Sequence, residues 1–205
     1  MFNLKNIYWA YWGASGLTKK ICNEIIKQGL FQRKEMGVTG GNTYPKNKKE
    51  LKKQQKIRNS EISWINQFWV YKEIRPFIEA SNKAAGWNYQ YDSFEKCQFT
   101  IYDSSKGKQH YDWHTDNKPG EGSTTCRKIS TSILLNDPSE YEGGELLFRS
   151  YVPPYDNVPK IIHTKEIMRQ GTVITFPSFV MHKVSPVTKG IRYSLVIWHR
   201  GDNFK

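Results

Sequence analysis

Two of the five histidines in this 205-residue chain fall within ten residues, in KQHYDWHTDN at 108–117. If His114 and Asp116 sit on a strand, their side chains share one face, because residues i and i+2 point the same way. An imidazole and a carboxylate then converge on one point. A further histidine from another strand would give three ligands on one face of an octahedron. That set suits non-haem Fe(II) when open positions are kept for a co-substrate and dioxygen. A structural zinc site would close itself with four ligands, often thiolates, and Cys22, Cys97 and Cys126 form no CxxC pair.

His163 lies in IIHTKE, with no chemically active neighbour, and His199 ends the final apolar run. His182, in FPSFVMHKVSPV, follows a predicted strand and a turn that can return it to the mouth of a barrel. Ten residues later, Arg192 opens a stretch in which Arg192, Ser194, Val196 and Trp198 share one strand face. An arginine turned inward is costly unless an anion receives it, and its planar fork grips a carboxylate through two bonds. A metal and a carboxylate clamp together specify a small dicarboxylate that chelates the metal at one end. 2-Oxoglutarate meets that description.

The elements that must position these residues are legible by their periods. Ser15 precedes GLTKKICNEIIKQG, where Leu17, Ile21, Ile25 and Ile26 recur at helical spacing and Gly29 supplies a stop. A second helix is expected over 67–85, with Pro76 as a kink or a fresh start. After Gly86 the period changes. CQFTIY (97–102), RKISTSILLN (127–136), GGELLF, GTVITF and IRYSLVIW read as strands separated by turn chemistry such as DPSEYEGG and YVPPYDNVP. Helices first and then many short strands predict a mainly β fold, a jelly-roll sandwich or barrel braced by N-terminal helices.

HTD at 114–116, His182 and FPSFVMHKVSPVTKGIRYSLVIW resemble the Fe(II)/2-oxoglutarate dioxygenase superfamily, and within it the prolyl 4-hydroxylase-like branch. Tyr102 and Tyr111 in IYD…Y..HTD, the YEGGELLF stretch at 141–148 and IRNSEISWI at 57–65 extend the likeness over roughly residues 15 to 200. It implies a double-stranded β-helix (jelly-roll, cupin-like) core over 97–200, helical and strand support over 1–96, and a single domain spanning 1–205. It further implies His114, Asp116 and His182 as iron ligands, Arg192 on the far carboxylate of 2-oxoglutarate, and Tyr102 beside that co-substrate. Ser194 and Trp198 would line its pocket; Arg127 and Tyr111 would face the substrate. Leu134 stands where some relatives have a second tyrosine. The implied reaction couples decarboxylation of 2-oxoglutarate, giving succinate and CO₂, to hydroxylation of an unactivated C–H, with ascorbate as a possible reductant. A prolyl residue of a protein or peptide is the expected substrate. A small molecule is an alternative. AlkB-type nucleic-acid demethylation is another, ranked lower because the second arginine of those enzymes is here Trp198.

Composition bounds the rest. The net charge of +12 invites a nucleic-acid partner, but residues 46–58 alone hold six lysines, Arg58 and one glutamate. Half of the excess thus lies on one short stretch, within an expected flexible loop over about 37–57. That loop is either a solvated surface or a flap that meets an acidic protein substrate. No apolar run approaches the ~20 residues of a membrane span, and MFNLKNIYWAYWG lacks the pattern of a secretory signal. Three widely spaced cysteines argue for a reducing, cytoplasmic setting.

Overall fold

A computed structural model describes residues 10–12, 16–39, 44–117, 123–150 and 160–204. In chain order the elements are β1 (Ala10–Trp12), α1 (Lys19–Phe31), β2 (Glu35–Met36), α2 (Lys48–Ile57), β3 (Arg58–Asn59), β4 (Glu61–Ile65), α3 (Phe68–Ala84) and β5 (Ser93–Phe94). Then follow β6 (Cys97–Asp103), β7 (Gln109–His114), β8 (Thr125–Leu134), β9 (Tyr141–Gly143), β10 (Leu146–Ser150), β11 (Lys160–His163), β12 (Val173–Pro177) and β13 (His182–Asp202). The fold is the expected jelly roll with N-terminal helices. Among the described residues, no helix is long and apolar enough to cross a membrane.

The 21-residue β13 belongs to both halves of the barrel. Its first part, through Gly190, pairs with β10, β7 and β9. From Ile191 onward it pairs with β6, β8 and β5. Gly190 marks the handover: its φ is +71°, and a Cβ there would lie 2.1 Å from the Glu140 carbonyl oxygen. Only glycine takes that backbone without strain. The larger sheet runs β1-β12-β8-β13-β6-β4-β2.

Alternation along these strands sorts residues between two interiors. Phe99, Ile101, Ile133, Leu195 and Ile197 face outward into a core shared with Cys22, Ile25, Ile74 and Ile78 of the helices. Tyr102, Leu134, Phe148, Ile174 and Phe176 face into the barrel.

The helices differ in detail from the sequence reading. Ser15 lies outside the described residues, and Thr18 is the N-cap of α1, its hydroxyl accepting from the Ile21 N–H at 3.3 Å. Gly29 does not stop that helix, which runs on to Phe31. It is the place where the helix meets the sheet, since a Cβ there would stand 2.3 Å from the Phe99 ring. Pro76 is accommodated inside α3 without dividing it. The lysine-rich stretch expected as a loop is a capped helix over Lys48–Ile57; residues 40–43 of that stretch lie outside the described residues. Asn47 accepts from the Glu50 N–H at 3.0 Å, while Glu50 reaches back to the Lys46 N–H at 2.8 Å. Such reciprocal bonds satisfy donors that the first helical turn leaves open.

Candidate active site

His114 is the last residue of β7 and His182 the first of β13, and the two are register partners in adjacent strands. Asp116 is not on the strand, as the HxD spacing suggested, but two residues past His114 in the following bend. Its backbone N–H donates to the Ser178 carbonyl at 2.8 Å, and its Oδ2 accepts from the Ser130 hydroxyl at 2.8 Å. The Nε2 of His114 stands 3.7 Å from Asp116 Oδ1, and that of His182 3.5 Å from Oδ2. One donor atom from each residue lies within 4.8 Å of the others.

The outer ring nitrogens are already committed. His114 Nδ1 lies 2.7 Å from the Asp112 carbonyl oxygen and His182 Nδ1 2.8 Å from that of Val180. A carbonyl can only accept, so each Nδ1 carries the proton and each Nε2 presents a lone pair to the carboxylate. Burial, reinforced by His182 alongside, holds His114 well below the usual histidine value. Burial alone would favour the neutral acid at Asp116, yet the positive charge around it, that of Arg127 included, keeps the carboxyl below the usual range. Two lone pairs and a carboxylate without a shared proton form a site for a cation. Three mixed N/O donors suit a divalent iron better than a closed zinc site.

A β-bulge aligns the wall. Between the pairs His182–His114 and Val184–Tyr111, β13 advances two residues while β7 advances three. The extra residue turns Tyr111 and His114 to the same side, and their rings stack at 3.5 Å with 10° between planes. Strict alternation would have opposed them and grouped His110 and Asp112 with His114. Instead His110 Nε2 bonds the Lys56 carbonyl at the surface and Asp112 is exposed.

The cleft in front of the three residues is lined by Tyr102, Tyr111, Arg127, Ser194 and Trp198, all singled out in the sequence. Arg192 is 2 % exposed and stands behind this wall, where its Nη1 donates to Ser194 Oγ at 3.1 Å. Among the described residues no carboxylate pairs with it and its Nε has no partner. Tyr141, which the sequence reading passed over, has a buried hydroxyl that interacts with Arg192. Gly144, read as a turn residue, is also shaped by this arginine: a Cβ there would come within 2.6 Å of Arg192 Cδ. Leu134 lies in the same cluster as Tyr102 and Tyr141. An inward arginine with unfilled donors and a hydroxyl beside it can receive the carboxylate of an acid.

Arg127 is no surface arginine. Its fork makes two bonds to Glu95, at 2.7 and 2.6 Å, and its guanidinium carbon lies 3.7 Å from the Trp198 ring centroid. Arg200 donates to the same carboxylate at 3.0 Å. Glu95 and Arg58, which also lines the cleft, carry no local signal; Arg58 reaches the site from β3 and Glu95 from the link between β5 and β6.

The profile of the 2OG-Fe(II) oxygenase superfamily matches residues 97–200, half of the chain. The chain belongs to the 2OG-Fe(II) oxygenase superfamily. Membership implies Fe(II) and 2-oxoglutarate, and the donor set and the unfilled arginine fit both. PKHD-type hydroxylases are among the curated relatives. One from Janthinobacterium sp. (strain Marseille) is 31% identical over 103 residues, 48% of this chain and 41% of its own. Another, from Prochlorococcus marinus, is 38% identical over 96 residues, 46% of this chain and 38% of its own. The match thus spans about two fifths of those proteins. Similar folds occur in a viral collagen prolyl hydroxylase from Paramecium Bursaria Chlorella virus-1, solved with 2OG (20% identity, TM-score 0.61, 98% and 99% of the two chains). A prolyl hydroxylase from Trichoplax adhaerens, solved with a hypoxia inducible factor peptide, is alike in the same way (18% identity, TM-score 0.65, 96% and 84%).

Proposed function

We propose that this 2OG-Fe(II) oxygenase hydroxylates a prolyl residue of a protein or peptide, consuming 2-oxoglutarate and O₂ and releasing succinate and CO₂. The observation that carries the reading is the pairing of two unmet needs in one cleft: a His114–Asp116–His182 donor set without a proton to share, and a buried Arg192 without an anion. In this reading His114, Asp116 and His182 hold the iron through Nε2, a carboxylate oxygen and Nε2. Arg192 holds the far carboxylate of 2-oxoglutarate, with Tyr102, Ser194 and Tyr141 completing its receptacle. Bound together, iron and 2-oxoglutarate supply the O₂ activation that oxidation of an unactivated C–H requires.

The chain's own residues have the remaining tasks. The Asp112 and Val180 carbonyls fix the imidazoles. Ser130 orients Asp116. The apolar wall of Phe176, Leu146 and Val184 keeps bulk water from the reacting carbon. Arg127, braced by Glu95 over Trp198, and Tyr111 present donors to the substrate on the open side. Helix α2 runs directly into β3 at the cleft and exposes five lysines, Lys48, Lys49, Lys52, Lys53 and Lys56. It suits a flap that meets an acidic polypeptide. The three free, buried cysteines support work in a reducing, cytoplasmic setting.

The test supplies Fe(II), 2-oxoglutarate and O₂ with proline-bearing peptides, free proline or methylated oligonucleotides. Succinate and the mass of the co-product are followed. A single-oxygen gain on proline in peptides is expected. Demethylation of the oligonucleotide, or oxidation of free proline alone, overturns the peptide reading.

A further inference from the structure

Among the described residues, Arg58 is the most deeply buried charge that the proposed reaction does not use. It is 4 % exposed, it lines the cleft, and no carboxylate of the described residues lies within 4 Å of it. Its Nε donates to Ser60 Oγ at 3.0 Å and its Nη1 to the Val38 carbonyl at 3.3 Å, while Nη2 has no partner among the described residues. The arginine cannot shed its proton to escape the cost of burial. Nor can it swing away, because Gly37 closes on it so tightly that a Cβ there would lie 2.5 Å from Nε.

Three arginines approach this cleft, and the charge of each is met differently. Arg127 directs its fork to Glu95. Arg192 is matched by the dicarboxylate in the function proposed above. The sole carboxylate lining the cleft among the described residues, Asp116, belongs to the metal. Arg58 is left over. Its guanidinium carbon lies 4.6 Å from the Tyr111 ring centroid, and that ring stacks on His114. An anion at Arg58 would therefore be one stacked ring away from the metal ligands, beside the position of the reacting carbon. The register partner of Arg58 is Tyr111 itself, and α2 with its lysines ends on the preceding residue.

We propose that Arg58 is a specificity-determining anion receptor that fixes a carboxylate of the substrate next to the residue being oxidised. The substrate class is then narrowed to one with a carboxylate near the target carbon, either an acidic side chain flanking the target or the α-carboxylate of a C-terminal residue. The choice of proline rests on the function proposed above; the anion site does not.

The protein loaded with Mn(II) in place of Fe(II) and saturated with 2-oxoglutarate provides a test without turnover. Acetate is the probe and acetamide its neutral control, and relaxation of their methyl protons by Mn(II) is read by NMR. Wild type is expected to relax acetate in a saturable way and acetamide not, with Arg58→Gln removing the saturable part and Arg58→Lys, which keeps the charge but loses the fork, keeping some of it. The 2-oxoglutarate affinity of Arg58→Gln is measured separately and is expected to match wild type, and its melting temperature verifies folding. Equal acetate relaxation in wild type and Arg58→Gln overturns the proposal. So does a loss of 2-oxoglutarate affinity in place of acetate binding, which would assign Arg58 to the co-substrate.

Two peptide pairs then distinguish the sources. One has an internal proline flanked by Glu or by Gln; the other ends in proline as a free acid or as an amide. Wild type is expected to bind the acid member of one pair about tenfold more tightly or better, and Arg58→Gln to erase that preference. A preference that survives Arg58→Gln overturns the proposal. Arg58-dependent acetate binding with no proline peptide oxidised would sink the prolyl reading and leave the anion site standing.

Discussion

The larger sheet is built by one set of strands with two unlike faces. On the helix side, Phe99, Ile101, Leu195 and Ile197 pack against apolar helix residues. On the barrel side, the neighbours in the same strands are Gln98, Thr100, Arg192, Ser194 and Trp198. Among the described residues, Arg58 Nη2, Tyr141 Oη and Arg192 Nε are buried around that interior without a close hydrogen-bond partner. A face whose groups satisfy one another needs nothing from outside and serves stability. A face that buries polar groups and leaves them open is destabilising, and the loss is recovered only when a ligand arrives.

Substitutions on either face break or sharpen this contrast. The largest effect is expected from His182→Ala: turnover is abolished and divalent-metal affinity, read by titration calorimetry, falls at least ~100-fold, while urea stability of the metal-free protein changes little. On the other face, Phe99→Ala should cost about 3–5 kcal/mol of unfolding free energy and leave metal affinity per folded molecule unchanged. Arg192→Gln should raise the dissociation constant of 2-oxoglutarate about 100-fold. It should have no such effect on 2-oxopentanoate, which lacks the far carboxylate.

His199 is the exception on the helix side. Its Nδ1 has no partner among the described residues, its ring meets Tyr91 edge-on at 4.8 Å, and burial, with Arg75 beside it, pushes its pKa down to about 4. A depressed folded-state value means that the unfolded chain binds the proton first. Its contribution is intact above pH ~6.5 and is lost as pH falls toward about 4. That loss amounts to roughly 3 kcal/mol at most. His199→Phe should flatten this part of the stability–pH curve measured by urea denaturation; an unchanged slope would remove His199 from the cause. The smallest effect is expected from Tyr141→Phe. It should raise the KM for 2-oxoglutarate about tenfold and leave 2-oxopentanoate binding alone.

The amino-acid sequence alone determined the class of fold and the chemical vocabulary of the site. Period-two runs after Gly86 become strands, and HTD, His182 and Arg192 are recognisable because a metal and a carboxylate each demand particular residue types at particular strand spacings. Tertiary structure decided which other groups join them. Tyr111 faces the cleft because a bulge adds one residue to β7. Arg58 arrives on β3, which is paired with β7, Glu95 sits in the link between β5 and β6, and Tyr141 is the register partner of Gly190, two residues from Arg192. Gly29 looked like a stop until Phe99, seventy residues away, gave it a packing role. Local pattern reports what one strand or helix can bury. Whether a polar atom ends up satisfied or open depends on partners that only the folded chain brings within reach.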